Sequence, residues 1–355
     1  MGRKVVGLKL GASRLHAACI SANGSAELVQ LAGSPLPAGV VAGGEVRDVP
    51  ALGEALKEFF GRHKLPKRNV RLGVANNRIG VRTIEISGID DPKQLANAIR
   101  FRAQEALPIP IDQAVLDFQI LSEGTGADGV PSRRVLLAVA YRDLVASYVE
   151  ACRLAGLRLL GVDLEAFALL RALTPAVPDP VERTERSALV AVSIGSERSV
   201  LGVSDGFSCE YTRVLEWGGA TLTDAVARTL EVEPEQAERV KVDLGLQGAA
   251  VPDGLTSEDA VRAREALRLA LQAFGRELVS SLQFYQGQPE SLGIREVVLA
   301  GGTAQLGGLA VELQQLVGVP VRIGDPLERV AVGRKLKGDR PDPSYTVPIG
   351  LGMAI

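Results

Sequence analysis

An eight-residue segment that occurs twice constrains the fold of this chain more than any other feature. Val6–Ser13 (VGLKLGAS) and Val190–Glu197 (VAVSIGSE) both run as an apolar strand into a glycine turn. Around the first copy, Val5–Leu10, Leu15–Ile20 and Ala26–Leu31 read as strands, broken at Gly11 and at Asn23-Gly24. Around the second, Ala188–Ser193, Val200–Ser204 and Ser208–Val214 do the same, with Asp205-Gly206 at the next turn. A whole three-stranded meander is therefore repeated, which implies two lobes of common ancestry. A length of 355 residues suits two lobes better than one small core.

The stretches between the copies read as α/β. Asp48 is placed to cap a helix over Val49–Phe60, and strands follow at Val70–Val74 and Val81–Ile86. From Asp90 the pattern becomes a helix to about Ala106, then Leu107–Pro110, then strands near Val115–Leu121 and Arg134–Ala140 around a glycine-rich loop. This reads as an α/β subdomain, about residues 88–155, inserted in a first lobe of residues 1–173. Within that lobe follow a helix over Arg142–Ala155, a strand over Leu157–Val162 and a helix over Leu164–Leu173. A proline-rich link, Thr174–Pro180, opens a second lobe of residues 174–355. There the periodicity predicts helices over Thr221–Leu230, Glu235–Leu244 and Ser257–Gln286, a strand over Glu296–Leu299 and a helix from about Ala304 to Val317. A final strand and helix run toward Ile355.

A strand that ends in a tight glycine turn points backbone N–H groups into a small concavity, and such nests hold phosphate oxygens. One such hairpin is commonly only a turn. Two matched copies can clamp a nucleotide between two lobes. Magnesium in such a clamp needs carboxylates to organise its water shell, yet Lys9 and Ser193 stand two residues before the two glycines. An ammonium at Lys9 either pairs with a phosphate or fills the space the metal needs. Ser193 brings no charge.

Gly7–Ser13, Val192–Gly195, Gly218-Gly219 and Ala300–Ala304, in this order, resemble the phosphate, connecting and adenosine motifs of the actin-like ATPases. Within that superfamily the chain resembles the PilM family of type IV pilus assembly proteins. Further matching segments are Leu36–Gly39 before Gly44–Val46, Glu105–Pro110 leading to Leu116–Phe118, Ala155–Leu157 before Val162-Asp163, and Ser281–Tyr285. The resemblance implies the two-lobed actin-like fold, built from duplicated ribonuclease-H-like lobes. It also implies ATP as the ligand, with a phosphate end at Lys9, Gly11, Ala12, Ser13, Ser193, Gly195 and Ser196 and a connecting turn at Gly218 and Gly219. The adenosine end falls on Glu238, Lys241, Gly301, Gly302 and Thr303. Family members carry an aspartate at each hairpin where this chain has Lys9 and Ser193, so the expectation is a degenerate site without organised Mg²⁺ or efficient hydrolysis, in which the hairpins either still bind nucleotide or remain only as scaffold. The alternative is a working ATPase in which Lys9 takes over part of the metal's charge. For Glu238 and Lys241 a solvated helix face is the alternative, and for Gly301 an ordinary strand-to-helix turn. Glu165 falls near the family's water-orienting position, but an exposed carboxylate favoured by a helix start is the simpler reading, and no catalytic residue is assigned.

The resemblance further implies a partner, the short amino-terminal cytoplasmic peptide of a PilN-like inner-membrane protein, and through it the pilus alignment complex and motor. The inserted subdomain would help to form the groove for that peptide. FtsA-type cell-division proteins are the rival within the superfamily. They carry a carboxy-terminal membrane-targeting helix, which is not expected from Gly350–Ile355. Forty Lys and Arg against 42 Asp and Glu, a net charge of −2, give no bulk drive toward nucleic acid or anionic lipid. Cys19, Cys152 and Cys209 lie far apart in apolar surroundings, which fits buried thiols in a reducing compartment. No apolar run approaches the ~20 residues that cross a bilayer, so a cytoplasmic protein held at the inner membrane through partners is expected. His16 and His63 have no carboxylate cluster near them, and no metal site is expected.

Overall fold

The computed structural model describes residues 3–23, 25–89, 91–106, 110–125, 129–175, 187–248, 251–289, 291–333, 336 and 340–354. Gly24, Asp90, Leu107–Ile109 and most of the link expected at Thr174–Pro180 lie outside them.

The chain opens with strands β1 (Arg3–Leu10), β2 (Arg14–Asn23) and β3 (Ser25–Pro35), the expected meander. A small hairpin of β4 (Val41–Ala42) and β5 (Glu45–Val46) leads to helix α1 (Val49–Arg62) and β6 (Arg68–Val74). Then come β7 (Ile79–Ser87), α2 (Pro92–Ala106), β8 (Ala114–Thr125) and β9 (Pro131–Tyr141). The first half closes with α3 (Arg142–Leu154), β10 (Arg158–Leu164) and α4 (Glu165–Leu173). The second half begins with β11 (Ala188–Ile194), β12 (Ser199–Ser204) and β13 (Cys209–Leu215). It continues through α5 (Gly219–Leu230), α6 (Pro234–Leu244), α7 (Ser257–Gln286), β14 (Ile294–Ala300), α8 (Leu309–Val317), β15 (Val321–Ile323), β16 (Ala331–Val332) and α9 (Thr346–Met353).

Both large sheets have one topology. In the first, β1 pairs antiparallel with β2, β2 antiparallel with β3, and β1 parallel with β6, which is parallel to β10. In the second, β11, β12, β13, β14 and β15 repeat those relations in the same order. The duplication read from two hairpins thus extends to five strands per lobe.

Strand alternation decides what each face carries. Val6, Leu8 and Leu10 of β1 point to a core shared with α1 and α3, so Val5, Gly7 and Lys9 point the other way. Val190, Val192 and Ile194 of β11 point to a core shared with α5, α7 and α8, so Leu189, Ala191 and Ser193 face the first lobe. Between the two sheets lie α4 and α9. Helix α4 follows β10 of the first sheet and packs on β11 and β12 of the second, while α9, which follows β16 at the β3 edge of the first sheet, packs on β1 and β2. Contact is close because glycines admit it. A Cβ on Gly7 would stand 2.0 Å from the Pro348 carbonyl oxygen, and one on Gly350 would stand 1.9 Å from that of Ala168.

Three features differ from the periodicity. The strand expected at Val81–Ile86 does not join the first sheet; as β7 it pairs with β9 in a separate sheet, ordered β7-β9-β8 and covered on one face by α2. This sheet starts at Ile79, ahead of residue 88, and α3 returns to pack on α1 of the first lobe. The helix expected from Ala304 starts at Leu309 instead. Gly302–Gln305 form a single 3₁₀ turn, and Gly308, at φ 83°, breaks the run before the helix.

Candidate functional site

The inward faces of β1 and β11 bring Lys9 and Ser193 together across the gap between the lobes. The Lys9 ammonium lies 3.2 Å from Glu165 Oε2 and 3.4 Å from Ser193 Oγ. All three groups are largely withdrawn from water: 14% and 7% of the Lys9 and Glu165 side chains are exposed, and Ser193 is buried. Glu165 is the first residue of α4, where the helix dipole favours a carboxylate. Gly73 on β6, beside Lys9 in the parallel ladder, leaves room for it: a Cβ there would approach Glu165 Cγ to 3.3 Å. The reading of Glu165 as an exposed helix-start carboxylate is therefore corrected, since a partner distant in sequence draws it inward.

The glycine turns are tied to their own hairpins. The Gly11 amide donates to the Arg14 carbonyl at 2.9 Å and the Gly195 amide to the Arg198 carbonyl at 2.8 Å. Ala12 and Ser13 sit at the first tip, and the Ser13 carbonyl accepts from the Leu36 amide. Two separate segments converge on the second hairpin. The Gly195 carbonyl accepts from the Gly219 amide and from Thr303 Oγ1, each at 2.9 Å, and the Ser196 carbonyl accepts from the Ala220 amide at 2.8 Å. Glycine is required where these segments touch. A Cβ on Gly218 would lie 2.3 Å from the Ser196 carbonyl oxygen, one on Gly219 2.5 Å from Thr303 Oγ1, and one on Gly301 2.3 Å from the Ile194 carbonyl oxygen. Gly301 also holds φ 87°, a conformation that L side chains rarely adopt. At Gly302, by contrast, the Cβ position opens on free space.

Lys241 is buried, not solvated. Its ammonium donates to the Gly219 carbonyl at 3.3 Å, to Thr223 Oγ1 at 3.0 Å and to Glu238 Oε2 at 2.5 Å. Thr223 Oγ1 also bonds Glu238, whose side chain remains half exposed. Lys241 thus braces the turn that carries Gly218 and Gly219.

Sequence reasoning missed one further contact. The Gly43-Gly44 turn between β4 and β5 meets the tip of the second hairpin: the Gly43 amide donates to Glu197 Oε2 at 2.9 Å, and Arg198 Nη1 donates to the Gly43 carbonyl at 2.6 Å. From below, Asn76 Nδ2 donates to both glycine carbonyls and the Tyr148 hydroxyl to that of Gly44. A paired glycine beside a two-residue strand was the available signal.

Magnesium does not fit this cleft. The two positions that would organise it hold an ammonium and a hydroxyl, and Glu165 beside them is bonded to that ammonium. Among the described residues no three His, Cys, Asp or Glu side chains gather in a way that could hold a metal ion. Gly218, Gly219 and Gly301 are accounted for by the close packing of these segments on the second hairpin, and Gly302 faces open space.

Two lobes of one topology, each with a glycine hairpin facing the other, define the actin-like ATPase fold. The chain is similar to MreB5 of Spiroplasma citri, solved bound to AMPPNP, at a TM-score of 0.54 and 15% identity over 98% of this chain and 94% of that one, a likeness of fold. It is 25% identical to the cell division protein FtsA of Pseudomonas aeruginosa over 99% of this chain and 89% of that protein. A solved PilM-PilN type IV pilus biogenesis complex is more similar still, with a TM-score of 0.80 and 28% identity over 98% of this chain and 97% of that one. The family model for the type IV pilus assembly protein PilM matches residues 7–354, and the chain belongs to that family.

Proposed function

We propose that this protein is a non-hydrolysing scaffold of type IV pilus assembly that binds the amino-terminal cytoplasmic peptide of a PilN-like inner-membrane protein. It would thereby sit at the inner face of the membrane and link the alignment complex to the pilus motor. Among the described residues no helix is long and apolar enough to cross a membrane, so attachment through a partner is compatible with the fold. The observation that carries the reading is family membership over residues 7–354, supported by likeness to a chain solved as a PilM-PilN complex.

An extended apolar peptide needs a cleft with apolar pockets and a few polar groups that fix its register. The root of the inserted subdomain offers both. A cavity of about 170 Å³ lies between Val74, Ile79, Val81, Leu164, Val200 and Val214. Beside it a groove of about 740 Å³ runs between the face of the β7-β9-β8 sheet away from α2 and the second lobe, with Thr83 and Glu85 on one side, Tyr211 and Phe284 on the other, and the Arg134–Glu210 pair bridging the two. Val81 lines both.

Calorimetry with a synthetic peptide from the amino terminus of the PilN-like protein encoded alongside tests this. Micromolar or tighter binding is expected, weakened at least about tenfold, roughly 1.4 kcal/mol, in a folded Val81→Asn variant. A folded wild-type protein that ignores the peptide sinks the reading. Turnover of Mg-ATP is expected to stay at background, because the hairpins lack the metal-organising carboxylates.

A further inference from the structure

We infer that Lys9 is a built-in cation of the cleft, and that this chain holds its two lobes together with its own side chains and not through a metal-bound nucleotide. The inference starts from the charge balance at the centre. Two hairpins that each aim a carboxylate across a narrow gap repel each other until a cation is supplied. Here one hairpin brings the ammonium of Lys9 and the other the neutral hydroxyl of Ser193, while Glu165 supplies one negative charge 3.2 Å from that ammonium. The set sums to zero. No group in it calls for a diffusible ion, and the covalent tether spares the translational entropy that a free ion would lose on binding.

The ion pair joins two residues of the first lobe, and it is the hydrogen bond from Lys9 to Ser193 that crosses to the second. Lys9 rises from β1 and Glu165 begins α4, which lies on the sheet of the second lobe, while Ser193 belongs to β11 of that sheet. Glu165 fixes the ammonium in place, and parting the lobes would strip it of its Ser193 partner in surroundings withdrawn from water, so separation is opposed here from inside.

A second grip lies at the mouth of the cleft and uses the tip of the same second-lobe hairpin. Glu197 and Arg198 hold the Gly43 amide and carbonyl of the first lobe from opposite ends, at 2.9 and 2.6 Å. The guanidinium fills the place of a side chain on Gly44, where a Cβ would stand 1.6 Å from Arg198 Nη2. Gly44 is held at φ 64°, so both space and backbone demand glycine. Asn77 Nδ2 to Glu216 at 2.7 Å and Arg134 to Glu210 at 2.6 Å add contacts to the second lobe from the end of β6 and from β9 of the inserted sheet.

Hydrogen exchange on the full chain, with and without 5 mM-range Mg-ATP (on the order of ordinary assay conditions, many times a typical micromolar affinity) and in EDTA, tests the inference. Wild-type amides of residues 41–47 and 196–200 should exchange equally, within about twofold, in both conditions. Lys9→Met should raise their exchange about tenfold or more in both, while the middle of α7 stays protected. Glu165→Gln should act in the same direction, and it is the measurement to rely on if Lys9→Met does not fold. Trp217, the single tryptophan, stacks on Phe274 at 4.2 Å beside Gly218, so its fluorescence checks that each variant keeps the second lobe. Two results would overturn the inference: a wild-type chain whose cleft gains about tenfold protection only on adding Mg-ATP, or folded Lys9 and Glu165 variants as protected as wild type.

Discussion

His16 stands opposite Lys9 in the β1–β2 ladder, edge-on to the Tyr345 ring at 5.2 Å. Burial, then the nearby cations of Lys9 and Arg14, lower its pKa to about 4 from an ordinary 6.5, against a small opposing pull from Asp342. The folded state therefore takes up this proton later than the unfolded chain does. Stability from the neutral ring is complete above about pH 6.5 and is lost as pH falls toward 4. At pH 5 the loss from this one residue is about 2 kcal/mol, most of the roughly 3 kcal/mol that the whole shift represents. Urea unfolding at pH 7.5 and 5 should show wild type losing about 2 kcal/mol more than His16→Leu; equal losses would contradict the assignment. The same scale shows what a sequence discloses about a site. Alternation alone aims Lys9 and Ser193 into the cleft, because Val6, Leu8, Val190 and Val192 claim the opposite faces. The burial of Glu165 and Lys241 was not legible, since each is drawn inward by an acceptor or ammonium on another element.

Short-range chemistry set the elements where it acted alone. Asp48 caps α1 as expected: its Oδ1 accepts from the Ala51 amide at 2.9 Å, with Pro50 at the second helical position. Asp48→Ala should cost about 1 kcal/mol, within the usual 0.5–2, and lower Tm by a few degrees without changing the fold. No change in Tm would mean that solvent replaces the cap. Elements whose limits depend on distant partners were harder to read. The hairpin of β4 and β5 has two residues per strand, too few for a period, and it exists because Asn76, Tyr148 and Arg198 hold its turn. Strand β7 has an ordinary strand pattern, and only pairing with β9 assigns it to the inserted sheet. Between Ala304 and Leu309 apolar spacing continues through Gly307-Gly308, so periodicity joined two pieces that backbone geometry separates.

The two lobes are topologically alike yet not independent, because each gives the other a helix. Helices α4 and α9 are apolar on nearly every side, which marks them as buried from sequence alone but does not say under which sheet. The structure resolves this reciprocally, with α9 from the end of the chain seated on β1 and β2 and against α4. Val347, Ile349 and Leu351 of α9 are all but fully buried against residues of both lobes. At roughly 1.5–3 kcal/mol for each side chain, these three contribute about 5–9 kcal/mol, comparable to the roughly 5–15 kcal/mol that holds a typical protein folded. Removal of residues 342–355 should therefore do more than weaken the second lobe, from which they are encoded. Ala18, Ile20 and Leu28 of the first lobe would lose their cover as well. The expected outcome is loss of the cooperative urea transition for the whole molecule, with protease cleavage appearing in β1–β3 as early as in β11–β13. A truncated chain in which the first lobe keeps a wild-type transition would show instead that α9 serves one lobe only, and that the exchange of helices is not what couples the halves.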